Sequence, residues 1–148
     1  MKTVLSAADR IELINRIKNL NDQSKPQWGK MNVQQMLKHC ILCEDLYLGQ
    51  LKVKRSFLGR IVGQLAIKNI LKDDSPLAKN APTNTAFKII DIDGDVEIEK
   101  EKWIKLIEKY KDYSTPEFTH WFFGKMSKEQ VGQFAYKHAD HHLRQFNC

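Results

Sequence analysis

Only three cysteines occur in 148 residues. That odd number, without disulfide-framework spacing, argues against a covalently stapled extracellular scaffold and leads us to expect a reducing, cytoplasmic setting. No apolar run approaches roughly 18 residues, so no membrane span is expected. The first ten residues, Met1 to Arg10, lack the apolar core of a secretory leader. Also missing are a phosphate-cradling glycine loop, a G-x-S-x-G nucleophile elbow and a dinucleotide fingerprint, which removes those sequence grounds for nucleotide chemistry or serine-based hydrolysis. Internal repeats and low-complexity tracts are absent.

What is present is an ordinary globular balance, 42% hydrophobic and 28% charged, in a chain long enough to bury a sizeable core. One domain, residues 1–148, is expected. A net charge of +6 raises the question of nucleic acid. Most basic residues are interleaved with acids, however, as in Glu99-Lys100-Glu101-Lys102, which marks a solvated face. The exception is 52–72, where Lys52, Lys54, Arg55, Arg60, Lys68 and Lys72 occur with no acid among them. Nucleic acid is not the expected partner; binding of a nucleic acid or an anionic surface through this segment stays as an alternative.

Hydrophobic periodicity predicts helices. The first starts with Ser6 as N-cap and carries Ile11, Leu13, Ile14, Ile17 and Leu20. Asn32 and Gln35 read as a capping pair for a second helix that is apolar nearly all round and hence central. An extra helix is predicted over 56–71, followed by a long surface crossover and a short extended piece at Phe87-Lys88-Ile89-Ile90. A further helix runs from about Val96 to Tyr110 and stops at Tyr113-Ser114-Thr115-Pro116. His120 to Met126 reads as an aromatic-rich connection, and Ser127 with Gln130 caps the last helix.

Three of the five histidines fall on that last helix. At roughly 100° per residue, His138 and His142 lie close to Val131 and Ala135 on the apolar stripe, His141 sits at its edge, and Gln133, Lys137, Asp140 and Arg144 occupy the opposite, wet face. Imidazoles at i and i+4 can converge on one divalent metal; each could equally satisfy itself against a carbonyl. His39, in the second helix beside Met36, Cys43 and Leu46, is a third imidazole directed at protein. Together His39, His138 and His142 form a three-nitrogen set with open positions, the pattern of catalytic rather than structural metal sites. Zinc or nickel is the expected metal, with iron and copper also compatible.

Other metal chemistries fit less well. Ala139, not Glu, follows His138, so a zincin base is missing. Glu117-Phe118-Thr119-His120 is a lone Glu-x-x-His where a ferritin-like site needs two plus further glutamates. Asp91-Ile92-Asp93-Gly94-Asp95 lacks the ligand spacing of a calcium loop. Cys40-Ile41-Leu42-Cys43 lies mid-helix without a second pair, so buried structural thiols are expected, with Cys43 one turn from His39.

Met36-Leu37-Lys38-His39 in the second helix, Phe122-Phe123-Gly124-Lys125-Met126, and the run from Tyr136 to Phe146 containing His138-x-x-His141-His142 resemble the DinB-like superfamily of metalloenzymes, closest to one of its branches of unknown function. The resemblance spans the chain. It implies an all-α fold, a four-helix bundle of up-down-down-up type with a long crossover from about Leu51 to Asp95. It implies metal ligation by His39, His138 and His142, a homodimer, and reactions such as thiol transfer with a low-molecular-weight thiol co-substrate, or hydrolysis of small molecules. The expectation is therefore a divalent-metal-dependent transferase or hydrolase. The alternative is a non-enzymatic helical-bundle interaction module. His120 is open between pocket mouth and packing, and His141 is expected to be a bystander.

Overall fold

A computed structural model describes residues 1–91, 93–115 and 117–148. Its helices begin where the capping residues stand. α1 (Ala7–Lys18) opens on Ser6, whose side chain accepts from the Asp9 N–H. Reciprocal capping boxes, Asn32 with Gln35 and Ser127 with Gln130, start α2 (Val33–Tyr47) and α5 (Lys128–Gln145). Ser56 caps α3 (Phe57–Ile70), and Asp95 takes two N–H groups at the head of α4 (Val96–Glu108). Each such cap satisfies orphan donors of a first turn and contributes about 1 kcal/mol.

The core is built around α2, which buries Met36, Leu37 and Cys40 completely. α2 packs on α4 and α5, and α1 packs on the same two helices. Leu13 and Ile17 of α1, Trp103 and Ile107 of α4, and Ala135, Ala139 and Leu143 of α5 complete the interior. One acid lies within it. Glu44 is fully buried, accepts from the Tyr110 hydroxyl at 2.5 Å and from Trp103 Nε1 at 3.5 Å, and has its pKa pushed up to about 7 by loss of solvent. It therefore holds its proton for a substantial fraction of the time near neutral pH, which lessens the cost of a buried charge.

The expected all-α class is wrong. Glu117–His120 (β1) and Gly124–Ser127 (β2) form an antiparallel two-stranded sheet, with Phe118 opposite Met126 and His120 opposite Gly124. Phe118, His120 and Met126 face in, while Glu117, Thr119, Lys125 and Ser127 face out, a period of two that only a strand supplies. Gly124, at φ +84°, closes the three-residue turn in a backbone region that favours glycine.

The hairpin turn also seats α3. A Cβ on Gly59 or Gly63 would lie 2.4 or 2.1 Å from the Phe122 carbonyl oxygen, so helix and turn meet backbone to backbone. Gln64 adds hydrogen bonds to the Phe123 and Lys125 carbonyls at 2.7 and 2.8 Å.

Two smaller expectations also change. The extended piece expected at 87–90 forms no strand; Phe87 closes a single tight turn, Thr85–Phe87, capped by Asn84, and Lys88 leaves it in extended backbone. Half of the wet face assigned to α5 is dry, although Arg144 is exposed and Gln133 partly so. Lys137 is buried and donates to the carbonyls of Ile70, Asp73 and Ser75 where α3 ends. Asp140 is buried between Arg16 at 2.8 Å and Arg144 at 2.7 Å. A lysine whose three donors all meet carbonyls is a tether rather than a solvated charge. α4 passes into a tight turn, Lys109–Asp112, before Tyr113; the stop expected at Pro116, and Ile92 of the rejected calcium loop, lie outside the described residues.

Candidate metal centre

The structure brings His39, His138 and His142 together, each offering one ligand atom and all three atoms within 4.8 Å of one another. Their ring centroids are 5.3 Å (His39–His138), 4.9 Å (His39–His142) and 4.7 Å (His138–His142) apart. The packing of α2 on α5 makes this meeting, with His138 and His142 one helical turn apart on the face that α2 covers.

Two rings are held by carbonyl oxygens. His39 Nδ1 donates to the Phe87 carbonyl at 2.9 Å, so the turn at 85–87 is what orients it. His142 Nδ1 donates to Gln145 Oε1 at 2.9 Å. The sense of that amide follows from its other end, because Gln145 Nε2 donates to the Trp28 carbonyl at 2.7 Å. With protons on both Nδ1 atoms, each ring presents Nε2 as a lone pair, the arrangement by which outer hydrogen bonds set the tautomer of ligating histidines. His138 differs in having Nδ1 buried with no hydrogen-bond partner. An orphaned polar atom inside a protein is costly, and here it belongs to a ring of the cluster.

The electrostatics suit neutral donors. Burial, and then the neighbouring imidazoles, hold His138 well below the usual histidine value and push His142 down to about 3. Burial also lowers His39, against the raising effect of its bond to Phe87. Three uncharged imidazoles with no carboxylate in the set match zinc, nickel, copper or iron rather than magnesium or calcium.

The remaining candidates separate. Cys43 Sγ lies 3.7 Å from His39 Nε2 but is not part of the three-histidine cluster. Cys40 and Cys43 are buried and free, and burial raises both thiols, in keeping with structural roles. His120 is not in the cluster either; its Nδ1 accepts from the backbone N–H groups of Phe122 and Phe123 at 3.1 and 3.2 Å, and its ring stacks on Phe123. It caps the turn and packs in the core. His141 lies edge-on to Trp28 and to His142, at 5.5 and 5.1 Å. It lines a cleft of about 410 Å³ with Trp28, Leu77, Lys79 and Arg144.

Sequence reasoning does not single out Gln145, the Phe87 and Trp28 carbonyls, or Tyr47, whose ring stands 6.0 Å from that of His138. For Gln145 a signal exists, since it follows His142 by three residues on one helix. The carbonyls come from loops and leave none.

Comparison with curated proteins and with solved structures finds no match. One family does match, described as "Protein of unknown function (DUF1569)", over residues 2–148, and the chain belongs to it.

Proposed function

We propose that this protein is a divalent-metal-dependent enzyme acting on small molecules, a thiol transferase or hydrolase, with His39, His138 and His142 as the metal ligands and residues 1–148 working as one domain. The observation that carries this reading is the convergence of three neutral imidazoles from two helices, with ligand atoms within 4.8 Å. The resemblance of the histidine motifs to DinB-like enzymes supports the same ligand set, and the odd number of free cysteines supports a reducing, cytoplasmic setting.

When bound, a zinc or nickel ion would supply Lewis-acid activation of a thiol or of water. The chain's own residues prepare for it. Phe87 and Gln145 keep Nδ1 of His39 and His142 protonated, so that their Nε2 lone pairs are available. Burial keeps the imidazoles neutral across the physiological range, removing competition from protons. Three protein ligands leave positions for a substrate, as catalytic sites require.

The test uses protein purified without a histidine tag. Elemental analysis after exposure to zinc or nickel is expected to give about one metal per chain, lost in His138→Ala and in His142→Ala. Proton release on adding a low-molecular-weight thiol to the loaded protein is expected if thiol transfer is the chemistry. No uptake at saturating metal would overturn the whole reading; uptake without proton release would leave hydrolysis.

A further inference from the structure

Among the described residues, nine large hydrophobic side chains stand exposed, and five of them are on α3. Phe57 is 80% exposed, Ile61 67%, Leu65 64% and Leu58 59%, with Val62 at 37%. Positions 57, 58, 61, 62 and 65 fall along one side of a helix. The other side is committed to the hairpin through Gly59, Gly63 and the fully buried Ile67. The apolar side therefore has no partner within the chain. A contiguous patch of this kind marks an interaction surface.

The charges around it restrict what can cover it. Lys52, Lys54, Arg60 and Lys68 are exposed and make no ion pair among the described residues. Lys72 meets only Asp73, at 3.9 Å. No acid occurs between 52 and 72; Asp73 and Asp74, just beyond, face Lys72 and the N-terminal amine. Two copies joined through this helix about a two-fold axis would place the patch's cations against one another, because such an interface is self-complementary. A nucleic acid would meet the cations but leave Phe57, Ile61 and Leu65 with nothing to bury against. An apolar stripe edged by lysine and arginine fits the boundary between headgroups and acyl chains.

We propose that α3 docks the protein on anionic phospholipid surfaces, with Phe57, Leu58, Ile61 and Leu65 entering the acyl boundary and Arg60, Lys68 and Lys72 at headgroup depth. The helix lies in the plane of the surface and does not cross it; no helix of the described residues is long and apolar enough to span a membrane. The surface is separate from the histidine cluster, so this proposal does not depend on metal binding.

Sedimentation of the full chain with vesicles tests it, comparing pure phosphatidylcholine with phosphatidylcholine containing 30 mol% phosphatidylserine, at low and high salt. Binding to the anionic vesicles alone, weakened by salt, is expected. Arg60→Ala with Lys68→Ala is expected to lower partitioning on the order of tenfold or more. Ile61→Ser with Leu65→Ser is expected to abolish it, and since both positions are exposed the variants should keep the parental circular dichroism and melting temperature. Parent protein that stays in the supernatant with anionic vesicles at low salt would overturn the proposal. So would sedimentation equilibrium showing a dimer that Ile61→Ser dissociates, or salt-sensitive DNA binding without vesicle binding.

Discussion

Replacing Gln145 with leucine tests whether the second layer of the histidine cluster holds it in a ligating state. Gln145 is 3% exposed and makes two amide hydrogen bonds, accepting from His142 Nδ1 at 2.9 Å and donating to the Trp28 carbonyl at 2.7 Å. Leucine fills a similar volume and makes neither. His142 then loses the acceptor that holds its proton on Nδ1, and the ring is free to turn or to take the other tautomer. Loss of such outer partners lowers metal affinity about 10–100-fold, or about 1.4–2.7 kcal/mol. Folding stability should also fall, by about 1 kcal/mol for each hydrogen bond removed. Gln145→Glu separates the two effects, because a carboxylate still accepts from Nδ1, and more strongly, while the donor to Trp28 is gone. Zinc competition against a chromophoric chelator at pH 7.5 gives the affinities, and thermal melts of the metal-free proteins give the stabilities. The expected order is Glu equal to or tighter than the parent, with Leu weaker by at least tenfold. If Gln145→Leu binds zinc within twofold of the parent, the amide orients nothing that matters and the tautomer argument fails.

Two more predictions concern the fold. In the metal-free protein, His120 and His142 titrate near 3 when folded against an ordinary 6.5. Between those values the unfolded chain binds more protons, so each histidine removes about 1.4 kcal/mol of stability per unit of falling pH. Glu44 acts in the opposite sense between 4.5 and about 7, where the folded state holds the extra proton and stability is lost as pH rises. It offsets one histidine down to pH 4.5 and none below. Urea midpoints measured from pH 7 to 4 should therefore drop most steeply under pH 4.5, and a flat profile would contradict the assigned burial. Gly63→Ala should destabilise by about 2 kcal/mol or more, because its Cβ would fall 2.1 Å from a backbone oxygen; helix propensity alone predicts a gain of about 1 kcal/mol, so a raised melting temperature would show that α3 does not rest on the turn.

The helix starts and the cluster were readable because both rest on local rules. Ser6, Asn32 and Ser127 announce helices by capping chemistry, and His138 and His142 share a face by helical period. Placing His39 opposite them required only that the most apolar helix be central. The hairpin was hidden because Glu117 to Ser127 is short and crowded with aromatics, so the alternation of Phe118, His120 and Met126 was masked by Trp121, Phe122 and Phe123 in the turn. The burial of Lys137 and Asp140 on α5 is hidden for a different reason. Lys137 and Asp140 look solvated by residue type, yet they are buried by partners far away in sequence, the end of α3 for one and Arg16 of α1 for the other. Periodicity reports which residues are apolar, whereas a polar residue's burial depends on what long-range packing brings to it.

The strands that overturn the all-α expectation also have a part in placing the histidines. His120 fixes the turn by taking the N–H groups of Phe122 and Phe123. That turn carries α3 on Gly59 and Gly63, and β2 ends at Ser127, the residue that caps α5. Lys137 then ties α5 back to the end of α3 through the Ile70 carbonyl. The hairpin, α3 and α5 thus close a loop of contacts whose last member holds His138 and His142. A histidine outside the ligand set, His120, stands at the start of that loop. Burial, and then the Arg55 guanidinium, hold its pKa down to about 3, so Nδ1 stays an acceptor for both amides at neutral pH; protonating it would release them and loosen the turn on which the rest is built.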